Sequence, residues 1–414
     1  MVDPKTQSTF LSFQEAVDKV LSMATTVTQT EEVALLAASG RVLAKPIASP
    51  INIPPFNNSA MDGYAIRLAD VTEENTVLPL AGKSLAGHPF QGVMPQGHCV
   101  RIMTGAQVPE GADAVIMQEQ TNTVADGIEF TQLAKPQQNI RFKGEEIAEN
   151  AEVFSAGMQL GTTSLPTIAT LGYATVTVYR KVKVAIFSTG DELQQVGKPL
   201  QAGQIYDSNS LTIRLMLEKM GCEVIDLGVI ADVPDAIKAA FNKADELADV
   251  VISSGGVSVG DADYTKQVLD ELGHIGFWKI AMKPGKPFAF GELKHALFCG
   301  LPGNPVSAAV TFYQVVQPLL RKMAGFTLWQ PMPSFDVKTT TKLKKSAGRL
   351  DFQRGILSKN EQGELVVRST GPQSSSMFTS FNQGNCFIVL EKERGKVAPG
   401  DVVTVTPFDK TLLD

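Results

Sequence analysis

The chain has 414 residues, 43% of them hydrophobic, enough for more than one buried core at roughly 150 residues per domain. A formal net charge of −6, from 37 basic and 43 acidic side chains, excludes a general basic field of the kind that holds nucleic acid or an anionic membrane. Any cation that matters must therefore act locally. Cys99, Cys222, Cys299 and Cys386 form no CxxC pair, which argues against a zinc site or a disulfide framework and for buried, inert thiols. The first ten residues carry Asp3 and Lys5, and no run of about 18 apolar residues follows anywhere, so no membrane is expected and the cytoplasm is the expected compartment.

In chain order, Ser12 and Glu15 stand at capping-box spacing ahead of Ala16, Val17, Val20, Leu21 and Ala24, which predicts an amphipathic opening helix ending near the TTVTQT stretch. From Ile51 to Ile140 short apolar runs such as Thr76–Leu80, Cys99–Met103 and Ala114–Met117 alternate with Gly and Pro clusters, the pattern of a β-rich module. Residues 151–180 are mixed and are expected to return to the opening segment. The domain reading is thus 1–53 with 141–180 as an N-terminal helical and mixed domain, and 54–140 as an insertion. Residues 181–326 form an α/β domain and 327–414 a small C-terminal β domain.

Between Val182 and Met323 the pattern alternates: strand VKVAIFS, helix Ser208–Met220 stopped by Gly221, strand EVIDLGVI, helix 235–247, strand DVVISS, helix 263–272. Such alternation predicts βαβ units and a central parallel sheet with helices on both faces. Helix 305–322 opens on Pro305 and is apolar nearly all round, so it should be deeply packed. From Pro331 onward ELVVRST, CFIVLEK and DVVTVTPF read as short strands. The fold class is therefore multidomain, α/β plus β.

Three strand ends carry the candidate chemistry. The run Ser253–Gly260, with Gly255, Gly256 and Ser258 and with Asp261 and Asp263 at its mouth, follows an apolar strand and precedes a helix. Glycines there let backbone N–H groups approach an anion, and a helix N-terminus adds a favourable partial charge. An ordinary glycine-rich turn would read the same way, because the spacing is neither GxGxxG nor GxxxxGK[ST]. Pro302, Gly303, Asn304 and Pro305 form a second strand-to-helix turn pointing an unsatisfied helix start outward. Thr189-Gly190-Asp191-Glu192 forms a third, with two carboxylates suited to a hard divalent cation such as Mg²⁺, or else to capping a helix.

Lys279, Lys283 and Lys286 cluster in WKIAMKPGKPFAF, and in an acidic chain such a cluster suits an oxyanion. In the β-rich module Asp62-Gly63 has turn chemistry, Thr104-Gly105 ends a strand, and Glu145-Glu146 adds an acidic pair. His88, His98, His274 and His295 have no mutual spacing that suggests ligation or a triad.

Taken together, NSAMDGYA, RIMTGAQVPEGADAVI, GEEI, FSTGDEL, SSGGVSVGDADYT, KPGKP, GLPGNPVS and GRLDFQRG resemble the molybdopterin molybdenumtransferase family, related to the E domain of gephyrin. The resemblance runs in order along nearly the whole chain. It implies an enzyme that takes adenylylated molybdopterin and molybdate as substrates, uses Mg²⁺, and yields molybdenum cofactor and AMP. It also implies Asp62 and Thr104 as cleft residues, Glu192, Asp232 and Asp263 as acidic pocket and metal residues, and Lys279 and Lys283 as oxyanion holders with Lys286 nearby. Pro302 and Pro305 would shape the pocket wall, and Arg354 and Ser375 would reach in from the C-terminal domain. Where bacterial relatives often carry GED this chain reads GEE, so Glu146 stands one methylene longer in the Asp position.

The resemblance further implies a homodimer with a shared active site and a transient contact with the molybdopterin-supplying enzyme. Adenylyl transfer onto molybdopterin and a non-enzymatic scaffold are the alternatives. A generic sugar or nucleotide phosphate enzyme on the same sheet is the blander reading.

Overall fold

Ser12 caps the first helix as its spacing predicts: its hydroxyl accepts from the Glu15 N–H, and the Glu15 carboxylate accepts from the Ser12 N–H at 2.7 Å. A computed structural model of the protein describes residues 10–255 and 264–413. Gly256, Ser258, Asp261 and Asp263 lie outside the described residues.

The chain divides into two compact units, one of residues 45–156 with 163–174 and one of the remainder. In the larger unit β1 (Phe10–Leu11) and α1 (Phe13–Met23) open the chain. The segment β2 (Thr30–Ala34) pairs antiparallel with the returning β3 (Thr175–Tyr179). There follow β4 (Lys183–Thr189), α2 (Asn209–Lys219), β5 (Glu223–Ile230), α3 (Pro234–Leu247), β6 (Val250–Ser254) and α4 (Tyr264–Leu272). After them come β7 (His274–Ile280), β8 (Met282–Lys283), β9 (Pro287–Glu292) and β10 (Leu297–Leu301). The central sheet has seven strands in the order β1-β7-β9-β10-β6-β4-β5. It is parallel except for β9, which runs antiparallel to both β7 and β10. The lysine-rich segment is thus a hairpin, because the connection from β7 to β9 is too short for the crossover that a parallel neighbour needs.

Alternate residues of β4 enter two different cores. Val184 and Ile186 pack with α1, α2 and the 305–323 helix, whereas Ala185 and Phe187 pack with α3 and α4. That period of two explains why the strand reads as a continuous apolar run. In the second core Phe241 stands edge-to-face against Phe187 at 5.0 Å and against Phe298 at 5.2 Å.

The long helix differs from expectation in one respect. It is α5 (Pro305–Thr311) and α6 (Gln317–Met323) joined by a π turn over Phe312–Val316. Pro318 has no N–H to donate to the carbonyl four residues back, so the ladder is locally widened. It is deeply packed all the same: Val306, Val310, Phe312, Val315, Leu319 and Leu320 are buried.

The C-terminal strands β11 (Phe335–Thr339), β12 (Leu350–Lys359), β13 (Leu365–Ser369), β14 (Cys386–Leu390) and β15 (Val402–Pro407) form a small closed barrel, since β14 pairs with both β15 and β12. Val337, Val367, Ile388, Val403 and Val405 fill it. Its sixth, edge strand is β8, donated by the lysine hairpin and parallel to β12.

The smaller unit carries a four-stranded sheet of Leu80–Ser84, Cys99–Ile102, Gly63–Ile66 and Ala114–Met117, and a three-stranded sheet that includes Thr76–Leu78. The run Thr76–Leu80 is therefore broken rather than continuous, at Pro79, which cannot donate to a ladder. Ile66, Cys99, Ile116 and Phe130 fill one core of this unit, and Ala65, Met94, Val100 and Val115 the other.

All four cysteines are free, and burial pushes the Cys99, Cys222 and Cys386 thiols up to about 12. Among the described residues no helix is long and apolar enough to cross a membrane. Truncating the aromatic cluster at Phe241→Ala is expected to cost about 3–5 kcal/mol, read as a lower midpoint in urea unfolding with an unchanged slope.

Candidate functional site

The carboxyl ends of β4, β6 and β10 meet at one edge of the central sheet, where open α/β sheets hold ligands. Gly255 follows β6 with φ +89°, and a β-carbon there would stand 2.7 Å from the Thr189 carbonyl oxygen. Its N–H donates to the Leu301 carbonyl at 3.2 Å, and the place of a β-carbon on Gly303 lies 3.9 Å from the Gly255 Cα. Glycine is required at 255 both by its backbone conformation and by this close approach. The structure thus brings the 189–192, 255 and 302–305 turns together.

A polar clamp, read in the sequence only as a helix start, ties these ends. Asn209, buried in the first turn of α2, donates from Nδ2 to Ser254 Oγ and to the Gly303 carbonyl, both at 2.8 Å. The neighbouring Ser210 hydroxyl lies 2.7 Å from Ser188 Oγ on β4. The Asp207 carboxylate accepts from both the N–H and the hydroxyl of Ser210. The signal for these residues was present in YDSNS, four polar residues opening a helix whose core face is apolar.

The acidic turn differs from expectation. No helix starts after Gly190: Leu193–Gln194 pairs with Ile205–Tyr206, and the Ile205 N–H donates to the Glu192 carbonyl at 2.8 Å. Asp191 and Glu192 are therefore not helix caps. Glu192 folds its carboxylate over Gly190, where a β-carbon would meet it at 2.5 Å, and Asp191 Oδ1 accepts from the Asp232 N–H at 3.5 Å. Burial, then the charges of Asp191 and Glu192, hold the Asp232 carboxyl above the ordinary range. Mutual repulsion among oxygen ligands is what a divalent cation would relieve. Among the described residues no group of three or more His, Cys, Asp or Glu side chains is arranged to hold a metal ion. Of the expected set, Glu192 and Asp232 are described and Asp263 is not. A cleft of about 700 Å³ opens beside Gly190 and Asp191, with Lys198 and Arg214 in its wall.

The hairpin divides the lysines. Lys279 lies on β7 of the central sheet, whereas Lys283 lies on β8 at the barrel edge, opposite Asp351. Lys283 Nζ stands 3.7 Å from the buried Asp351 carboxylate, and Lys286 lays its ammonium 5.3 Å from the centre of the Phe10 ring. Gly285, with φ +104°, has no room for a β-carbon between Met282 and Thr311. Two charges missed in the sequence belong here. Asp351 accepts from Gln353 Nε2 at 3.0 Å, and Lys345 is buried with its ammonium on the Ser346 and Arg349 carbonyls, its pKa lowered chiefly by burial.

Arg354 does not reach into a pocket as expected. It is fully buried, with Nε on Ser380 Oγ at 2.9 Å and its terminal nitrogens on the Phe352 and Ser374 carbonyls. Burial lowers its pKa to about 10. What it holds is the 373–380 loop. From that loop the Ser375 carbonyl accepts the Val306 N–H at 3.0 Å, so the start of α5 is partly satisfied rather than wholly open. The Asn304 side chain makes no capping bond.

In the smaller unit Asp62 Oδ1 accepts from both the N–H and the hydroxyl of Thr104 at 2.8 Å, which holds the carboxyl below its usual range. Gly63 is not a turn glycine. It opens a strand, and a β-carbon would stand 1.9 Å from the Ile116 carbonyl oxygen. Glu146 is exposed, with its N–H on the Ile53 carbonyl at 3.0 Å.

Three family descriptions match in order: "MoeA N-terminal region (domain I and II)" over residues 11–172, "Probable molybdopterin binding domain" over 185–322 and "MoeA C-terminal region (domain IV)" over 336–408. The chain is 55% identical over 403 residues to a molybdopterin molybdenumtransferase of Haemophilus influenzae, covering 97% of this chain and all of that one. It is 37% identical to one of Nostoc sp., covering 91% and 88% respectively. Among solved structures, a molybdopterin biosynthesis MoeA protein of Pyrococcus horikoshii OT3 is similar with a TM-score of 0.83 at 28% identity, covering 97% of this chain and all of that one.

Asp232 yields a direct test in metal-free buffer. A carboxyl whose folded pKa is raised costs stability once the pH has climbed through that pKa and costs nothing below the unfolded value. Asp232→Asn should therefore raise the thermal midpoint at pH 7, and the gain should vanish once the pH falls below the ordinary carboxylate range, as a pH series of melting curves would record. At Asp62 the sign is opposite. Thr104→Ala should move the Asp62 titration upward, followed by carboxyl NMR, and the stabilisation that the wild type loses as pH falls through the lowered pKa should shrink.

Proposed function

Because the chain belongs to the molybdopterin molybdenumtransferase family over nearly its whole length, we propose that its strand-end site binds adenylylated molybdopterin and molybdate, inserts the metal and releases AMP. The observation that carries this reading is the convergence of the 189–192, 255 and 302–305 turns, tied by Asn209. Gly256 and Ser258, with Gly303 and Asn304, would hold the phosphates through backbone N–H groups, while Pro302 and Pro305, which have no N–H, shape the wall, and Gly255, whose N–H goes to the Leu301 carbonyl, permits the close approach of the turns. Lys279 and Lys283 attract the molybdate dianion toward the dithiolene sulfurs, where two thiol sulfurs replace an oxygen of molybdate and that oxygen leaves as water with the two thiol protons, with no change of oxidation state. Asp351 limits the free charge of Lys283, and Lys286 adds positive potential nearby.

Glu192, Asp232 and Asp263 supply hard oxygen ligands for Mg²⁺, which when bound would neutralise charge on the leaving phosphate. The charges of Asp191 and Glu192, which after burial hold the Asp232 carboxyl up, are what a divalent cation held there would offset. No protein nucleophile is needed, since positioned cations and amides stabilise the departing phosphate. Arg354 acts through the loop it holds, presenting Ser375 to the start of α5. Asp62, Thr104 and Glu146 act in the same reaction, in a homodimer whose active sites are shared between protomers, in the cytoplasm.

Purified protein given adenylylated molybdopterin and Mg²⁺ should release AMP only when molybdate is present. Lys283→Ala should raise the molybdate concentration for half-maximal release about tenfold or more, the scale of one lost charge-assisted bond. Asp263→Ala should abolish the response to Mg²⁺. AMP release indifferent to molybdate would overturn metal insertion and leave a hydrolase. A fully active monomer in a dilution series would overturn the shared site.

A further inference from the structure

The clamp on α2 performs a task that none of the proposed ligand-binding residues performs. Ser188, Ser254 and Gly303 end or follow three neighbouring parallel strands, β4, β6 and β10. The last backbone hydrogen bond between β6 and β10 runs from the Gly255 N–H to the Leu301 carbonyl, so beyond it nothing in the ladder keeps the 302–305 turn at a set spacing. Asn209 spans the gap from the side. One amide nitrogen carries two protons, and both are spent, one on the Ser254 hydroxyl and one on the Gly303 carbonyl, each at 2.8 Å.

We propose that Asn209 is a positioning residue for the proposed reaction, setting the distance between the Gly255 turn and the 302–305 turn and hence the width of the phosphate cradle. The inference rests on the reading of those turns as the phosphate site. Asn209 itself does not touch substrate through Nδ2, because its donors are occupied within the protein.

Three features single it out from an ordinary core amide. It is buried, so a lost bond leaves Ser254 or Gly303 without a partner where water does not readily replace it. Its two acceptors lie on different turns, 254 and 303, and not on one local loop. The adjoining Ser210 ties the same helical turn to Ser188, with the Asp207 carboxylate fixing Ser210 in turn, so the amide is anchored to the third strand end. A donor is essential. An isosteric carboxylate would face an oxygen at Gly303 with no proton to offer, and would push the two turns apart.

The test uses full-length Asn209→Asp and Asn209→Ala beside the wild type, with Thr212→Ala as control. Thr212 lies on the same helix and bonds the Ser208 carbonyl, away from the strand ends. Both Asn209 variants should weaken calorimetric binding of AMP about tenfold and raise KM for adenylylated molybdopterin by a similar factor. In both, kcat should fall less than KM rises, and Thr212→Ala should move neither. Independently of any ligand, amide hydrogen exchange should quicken in peptides covering 300–306 while the 183–187 strand stays protected.

Unchanged exchange at 300–306, or unchanged KM and AMP affinity in folded Asn209→Asp, would overturn the proposal. So would a loss of activity that follows only the folded fraction. If the wild type binds AMP but releases none from the adenylate, the reading of the reaction fails, and AMP affinity with exchange still decides the role of Asn209.

Discussion

At Gly255 the backbone passes so near β4 that a β-carbon would stand 2.7 Å from the Thr189 carbonyl oxygen. That crowding is the constraint on which the strand-end site depends. Two parallel strands can bring their turns this close only if one turn carries no side chain and adopts a left-handed backbone. The third turn, at Gly303, then approaches Gly255 closely, and the three strand ends form one edge rather than three separate loops. The sheet supplies the alignment, and the glycine permits the contact.

Around that edge, charge is arranged in opposition. Carboxylates gather at the end of β4 and after β5, where burial and then the charges of Asp191 and Glu192 raise the cost of ionising Asp232. Cations gather on the hairpin that leaves β7, with Lys279 in the central sheet and Lys283 in the barrel edge. The division is mechanical in origin. A short hairpin cannot keep both arms' side chains in one sheet once its tip is donated as β8 to β12, and Asp351 sits opposite Lys283 in that pairing. The barrel is thereby stitched to the α/β core by the segment that carries the lysines.

Buried polar side chains do the fine positioning. Arg354 gives its donors to Ser380 and to two carbonyls, which is the way a fully buried guanidinium avoids an unsatisfied charge. Its consequence is an ordered 373–380 loop whose Ser375 carbonyl meets the first turn of α5. Asn209 does the same between β6 and the 302–305 turn. In each case the residue beside the candidate ligand edge is held by one that is itself out of solvent.

The order of elements, the two-faced sheet and the capping box at Ser12 were legible in the chain itself, because apolar period and capping chemistry are local properties. The glycine at 255 and the acidic pair after β4 were legible as residue types, but whether they served a ligand or an ordinary turn or helix cap was left open by the sequence. What local pattern could not decide was partnership. Whether Gly63 serves a turn or a close approach depends on Ile116, more than fifty residues away. That Arg354 is buried, that Lys283 faces Asp351 and that Asn209 bridges two turns are likewise properties of contacts distant in sequence. Residue type and spacing determined which groups were available for the chemistry. The tertiary structure alone decided which of them meet, because hydrogen bonds and charge depend on distances that no spacing along the chain encodes.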